Sequence, residues 1–248
     1  MTPSLYDDAD LFDALQQASE SQLSFYSRLA QRHPEAVLAL ACGSGQIIVP
    51  IASKGIPVTG LDQSSKMLSA ASRRAAAVGT RLECLEGDMR DFNLGRQFSL
   101  IFVARNSLLH LSEQTEFAAF FSSVRRHLKP HGVLAFDIFN PSLRLLSRPS
   151  GERFHLMRAT SPPHGELTVE ATNDYDLLSQ VNRATWFIST SEKRDAWVVP
   201  LHLRSIFPQE LLALLAANGV ELLRRDGDFN GGDFTSTSHN QVCQCRLA

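Results

Sequence analysis

The sequence predicts an α/β protein: a mostly parallel sheet with helices on both faces, and an antiparallel sheet inserted in the second half. Three observations predict it. Residues 37–41, VLALA, form a short apolar run that breaks into Cys42-Gly43-Ser44-Gly45 and then into longer apolar spacing. That order suits a strand buried on both faces, a tight turn and a helix. Similar apolar segments return at PVTGLD (57–62), FSLIFV (98–103) and VLAFDIF (133–139), with helix-like spacing between them. From about 142 to 205 the pattern becomes one of short alternating segments, LTVEATNDYD, QVNRATWFIST and WVVPLHLRSIF, split by polar turns such as SEKRD. Such alternation marks antiparallel strands.

Taken in order, Leu11, Leu15, Ala18, Phe25 and Leu29 recur at steps of three, four and seven and predict one helix over residues 9–31. The second strand is followed by Ser64 or Ser65 as a helix cap, with Met67, Leu68, Ala71 and Val78 on the helix and Gly79 at its end. RLECLEG (81–87) is the third strand and FSLIFV the fourth, whose following loop carries Arg105, Asn106, Ser107 and His110. In an open α/β sheet ligands sit beyond the carboxyl ends of the strands, so these side chains face the reaction space. Phe117, Phe120, Phe121, Val124 and Leu128 form one face of the next helix. Pro208 and Glu210 start a late helix that stops at Gly219, and GVELLRRD and QVCQCRLA form a closing antiparallel pair.

The turn at Gly43 and the acid at Asp62 together describe a nucleoside pocket. In a βαβ unit, an acidic residue about 20 positions beyond the glycine turn lies at the tip of the second strand, where it accepts hydrogen bonds from a ribose. A dinucleotide turn needs a third small residue for close helix packing. Here Ile48 holds that place. With its strand, glycine turn and acid, the sequence resembles the class I S-adenosylmethionine (SAM) methyltransferases, whose first motif reads roughly (D/E)-x-G-x-G-x-G. Gly43 and Gly45 match its last two glycines, while Ala39 and Ala41 stand where the family has an acid and a glycine. LKPHG (128–132) resembles the family's Leu-Lys-Pro-Gly-Gly turn, with His131 in place of the first glycine.

The resemblance implies a Rossmann-like seven-stranded sheet formed by residues 1–145 and 206–248, with 146–205 as an antiparallel roof over the substrate, as in the sheet-capped small-molecule N-methyltransferases. It implies SAM as cofactor, with Ala41, Gly43, Gly45, Asp62, Gln63, Met67, Asp88, Met89 and Arg105 around it. Asp88 would meet the adenine amino group and Met89 pack on the ring. Arg105 is expected to point away from the positive sulfur or to meet a substrate anion. His110 is the candidate base, with a solvent-facing or capping histidine as the other reading. Tyr6 is a candidate to close over the cofactor, or merely to pack. Asn106, Glu170, Tyr175, Arg204 and Asp228 are candidates for substrate contact; the three on the inserted sheet equally suit cross-strand surface pairs.

Composition bounds the function. At 248 residues with 44% hydrophobic content, the chain suffices for one α/β domain with an insertion. A net charge of −2 argues against nucleic acid as a partner. No apolar run approaches the ~18 residues of a membrane span, and the acidic start MTPSLYDDADLFD is no signal peptide. A cytoplasmic enzyme of a small molecule is therefore expected, with four reduced cysteines and no metal site. Two rival readings are a nicotinamide-dependent oxidoreductase, disfavoured by Ile48 and by the absence of a Tyr-x-x-x-Lys pair, and a non-catalytic SAM-binding protein, motivated by Ala39 and Ala41.

Overall fold

The computed structural model describes residues 4–248. In chain order the elements are a 3-10 turn (Leu5–Asp7), α1 (Ala9–Leu15), α2 (Glu20–Arg32), β1 (Val37–Leu40), α3 (Ile48–Ala52), β2 (Val58–Asp62), α4 (Ser65–Ala77), β3 (Glu83–Glu86) and β4 (Phe98–Val103). A second 3-10 turn (Ser107–His110), α5 (Gln114–His127), β5 (Leu128–Phe139) and α6 (Leu143–Leu146) follow. Then come β6 (Phe154–Ser161), β7 (Gly165–Thr172), β8 (Tyr175–Asp176), β9 (Val181–Thr190), β10 (Trp197–Arg204), α7 (Pro208–Ala217), β11 (Val220–Asp226) and β12 (Asn240–Leu247).

The larger of two compact units comprises Ala18–Asn140 and Ile206–Ala248. Its seven strands run in the order β11-β12-β5-β4-β1-β2-β3. β3, β2, β1, β4 and β5 are parallel, and β12 is antiparallel to both β5 and β11. Period-two alternation sorts the strand residues between the faces: Val37, Ala39, Leu100, Phe102, Ala135 and Val242 join one core cluster with Phe25, Tyr26 and Leu29 of α2 and Ile48 and Ile51 of α3. The alternate residues Leu38, Leu40, Ile101, Leu134 and Phe136 are buried as well, as are Phe117, Phe120, Phe121 and Val124 of α5. A strand covered on both faces reads as an unbroken apolar run, as VLALA does.

The smaller unit comprises the residues up to Gln17 together with Pro141–Ser205. Its sheet runs β10-β9-β7-β6, with β8 also paired to β9, and every pair is antiparallel. One face carries Val169, Ala171, Ala184, Trp186, Ile188 and Val199, which form a core with Leu5, Leu11 and Leu15. The N-terminal residues thus group with the inserted sheet and not with the larger unit, because their leucines cover this apolar face. β6 alternates more weakly and was not anticipated.

The single helix expected over residues 9–31 is two. α1 ends at Leu15, and α2 restarts after Ser19, whose hydroxyl accepts from the Gln22 amide while the Gln22 side chain accepts from the Ser19 amide. That Ser-x-x-Gln box makes a new helix start cheaper than continuation. The Gln46 side chain accepts the Ala18 amide at 2.7 Å and fixes the break against the β1 turn.

Ala41 (φ 52°) and His131 (φ 64°), the two positions where the chain departs from family glycines, are both left-handed. Side chains there carry a steric cost of roughly 1–2 kcal/mol that glycine avoids, partly offset by the extra freedom glycine gives the unfolded chain. Ala41→Gly and His131→Gly are each expected to raise stability by about 1 kcal/mol, measured by urea unfolding.

Candidate active site

Strand order reverses between β1 and β4, the point at which an open sheet leaves a crevice beyond its carboxyl ends. The turn after β1 lies there. Ala41, Gly43 and Gly45 all take left-handed φ, so the chain zigzags with few side chains in the way. An added Cβ at Gly45 would come within 2.9 Å of the Ala71 Cβ on α4. Gly45 is therefore fixed by packing, and being buried it serves the turn's shape and not direct ligand contact. Gly45→Ala, strained in φ and in space, is expected to cost about 2 kcal/mol or more in urea unfolding. Arg74 of α4 donates to the Ser44 carbonyl and ties down the far side of the turn.

Asp62, at the tip of β2, braces the turn from the other side. Its Oδ2 accepts the Gly43 amide at 2.7 Å and its Oδ1 the Ser64 amide at 2.9 Å. The Gln63 amide also acts on this carboxylate, so the main chain engages three of its about four lone-pair sites. Burial outweighs the amide hydrogen bonds and raises the Asp62 carboxyl above its ordinary value. The edge of the carboxylate left open suits ribose hydroxyls, and the bare turn beside it suits an adenosyl group lying against main chain.

Asp88 is already engaged. The Arg90 amide donates to its Oδ1 at 2.8 Å and the Arg90 Nε to its Oδ2 at 2.9 Å, while the same guanidinium reaches Glu116. That guanidinium holds the Asp88 carboxyl below its ordinary value, helped by a hydrogen bond from Gln63. Gln63 and Asp88 thus lie together, with an Arg90 that sequence reasoning did not single out. The Asp88-Met89-Arg90 spacing is the only signal that could have found it. Met89 is buried beside them. Met67 is fully buried on α4 and belongs to the core, which removes it from the candidate contacts.

The loop after β4 is unusually constrained. Arg105 (φ 60°) and Asn106 (φ 63°) are successive left-handed residues. The Arg105 amide donates to Asp137 Oδ1 at 2.9 Å and the Asn106 amide to the Asp137 carbonyl at 3.2 Å. The Asn106 side-chain oxygen accepts the Phe139 amide at 2.6 Å, so its acceptor serves β5 and not a substrate. The positive charge of Arg105 acts on the Asp137 carboxylate, consistent with a guanidinium that does not stand alone in the crevice. His110 closes the 3-10 turn of this loop; one edge of the residue is exposed, while the protein packed about the ring lowers the imidazole from its ordinary value by desolvation. It is therefore neutral at neutral pH, the state a base requires.

The remaining candidates are more local. Asp228 is exposed and accepts the Asn230 and Gly232 amides at 2.8 and 3.0 Å, which makes it the organiser of its own turn. Phe229 is buried against Phe25. Together with Leu29 these rings floor a cavity of about 160 Å³ whose rim includes Arg28 and Arg224. Those arginines donate to the Phe229 and Gly231 carbonyls and so pin the loop.

In the smaller unit, Tyr6 packs on Phe12. Glu170 pairs with Arg153 at 3.6 Å as a cross-strand contact, Tyr175 sits opposite Asn182, and the buried Arg204 donates to the Gln180 side chain at 2.9 Å. Among the described residues no cluster of histidine, cysteine, aspartate or glutamate could hold a metal ion, and no helix is long and apolar enough to cross a membrane. All four cysteines are free, and burial raises the Cys42 thiol well above its ordinary value.

Residues 37–132, which span the turn, Asp62, Asp88 and the His110 loop, match the family described as a methyltransferase domain. With the reversed β12 at the sheet edge, the fold and this match over residues 37–132 support a SAM-dependent methyltransferase of the class I type, with SAM as cofactor. Among its relatives, a putative methyltransferase, YqeM, of Bacillus subtilis (strain 168) is 29% identical over 194 residues, 78% of this chain and 76% of that protein. The dTDP-3-amino-3,6-dideoxy-alpha-D-glucopyranose N,N-dimethyltransferase of Streptomyces fradiae is 33% identical over 136 residues, 52% of each chain. In fold, the chain is similar to the CcbJ methyltransferase from Streptomyces caelestis, with a TM-score of 0.80 and 24% identity over 93% of this chain and 97% of that one.

Proposed function

We propose that this enzyme methylates an amine nitrogen of a small-molecule metabolite. Two observations support the reading: His110, neutral and at the carboxyl edge of the sheet, and the likeness to a Streptomyces fradiae enzyme named for N,N-dimethylation of an amino sugar. When bound, SAM supplies an electrophilic methyl group on a positive sulfur. Asp62 holds the ribose hydroxyls with the open edge of its carboxylate, the main chain at Ala41 and Gly43 lies against the adenosyl group, and Met89 packs on the base beside Gln63 and Asp88.

An amine attacks only as a free base. His110 receives its proton, directly or through one water, and being neutral above its lowered pKa it is ready to do so. The larger share of rate comes from orientation: holding nucleophile and leaving group in line accounts for roughly 7–11 kcal/mol in well-aligned systems. The free thiols fit a cytoplasmic setting.

A panel of small amines, amino sugars included, incubated with SAM and followed by mass spectrometry tests the proposal. Products one or two methyl groups heavier, with the gain on nitrogen, are expected. Tight SAM binding with no product from any amine would instead favour a binding protein, the reading that Ala39 motivates by lacking the acid usual at its place.

A further inference from the structure

Beneath the crevice lies a buried pair that the chemistry above does not use. The Tyr26 hydroxyl, on α2, donates to Asp137 Oδ1 at 2.6 Å, and both side chains are essentially inaccessible to solvent. The same carboxylate oxygen accepts the Arg105 amide, and the Asp137 carbonyl accepts the Asn106 amide. Two successive non-glycine residues in left-handed conformation are costly and persist only where their surroundings over-determine them. Here Asp137 supplies two of the determining acceptors, and the third link is the Phe139 amide donating to Asn106.

A carboxylate buried among apolar rings is expensive unless its lone pairs are used. Phe102 lies 4.7 Å from the Tyr26 ring, centroid to centroid, and burial raises both the phenol and the carboxyl above their ordinary values. Core packing alone would be met by phenylalanine at position 26 and an apolar residue at 137. A hydrogen-bonded polar pair at this place is consistent with a demand for geometry in the loop that carries His110, four residues beyond Asn106.

We propose that Tyr26 and Asp137 are positioning residues for methyl transfer: by locking the left-handed turn at Arg105 and Asn106, they set where His110 and the rest of the 104–110 loop stand relative to the methyl acceptor. They touch neither cofactor nor substrate. Tyr26 keeps the carboxylate in register, Asp137 transmits that register to two successive amides, and the turn delivers His110. The inference rests on the amine-methylation reading for its kinetic part and is independent of it for its structural part.

The test combines both. Tyr26→Phe retains the ring and its contacts while deleting one hydrogen bond. It is expected to speed amide exchange in the 104–110 segment of the SAM-free protein at least tenfold, with exchange in β1 and β2 unchanged. SAM affinity by calorimetry should stay within twofold of wild type, while kcat on an accepted amine falls about tenfold. Asp137→Asn keeps a side-chain oxygen for both the phenol and the Arg105 amide, so its exchange and kcat should stay within about threefold of wild type. Unchanged exchange at 104–110 in Tyr26→Phe would overturn the proposal, as would loss of SAM affinity in step with turnover. Faster exchange with no amine substrate found would uphold the brace and instead count against amine methylation.

Discussion

Replacing Asp62 with asparagine is expected to weaken SAM binding about a hundredfold while leaving the protein folded. The substitution is isosteric, yet an amide nitrogen cannot accept, so one ribose hydroxyl and one main-chain amide lose their partner. Hydrogen bonds to a charged acceptor contribute about 1.5–3 kcal/mol each, and 1.4 kcal/mol is a factor of ten. Part of the loss is indirect, because Asp62 also braces the Gly43 and Ser64 amides that shape the turn. The same residue makes affinity pH-dependent. Since burial raises its carboxyl above the ordinary value, protonation on acidification begins earlier than for a free aspartate, and SAM affinity falls with it. Calorimetry across a pH series should show that fall in wild type and a flat profile in Asp62→Asn.

His110→Gln should lower kcat about a hundredfold and leave SAM affinity unchanged. Glutamine keeps polarity and approximate size but cannot take a proton, so the loss measures base catalysis, whose usual range is about 10²–10⁴. Desolvation puts the imidazole below 6.5. With amine and SAM both saturating, wild-type kcat should therefore fall as pH drops through that lowered value, where the ring becomes imidazolium and can no longer accept. In His110→Gln this acid limb should vanish from kcat measured at saturating SAM. Affinity and turnover thus separate the two residues: Asp62 moves the first, His110 the second.

What was legible in the sequence was local. Gly43, Gly45 and Asp62 announce their positions by spacing along a single strand-turn-helix-strand unit, and the structure places each at the crevice edge or beneath it. The departures from glycine at Ala41 and His131 were legible too, but that both keep a left-handed backbone was not. Residues whose roles depend on distant chain were not. Tyr26 and Asp137 are separated by 111 positions, and nothing in a helical aromatic tells which acid it will meet. Met67 sits where a cofactor contact is plausible in sequence, but only the packing of α4 decides that it turns inward. Asn106 had the right loop and the wrong partner, because the Phe139 amide on β5 claims its oxygen. Leu11 and Leu15 advertised an apolar face without saying which sheet it would cover.

The account depends above all on where adenosine rests, and a crystal structure with S-adenosylhomocysteine tests that most directly. Both ribose hydroxyls donating to the Asp62 carboxylate, with the adenosyl group against the main chain of Ala41 and Gly43, is the predicted result. A ligand bound elsewhere on the chain, or one whose ribose makes no hydrogen bond to Asp62, would contradict it.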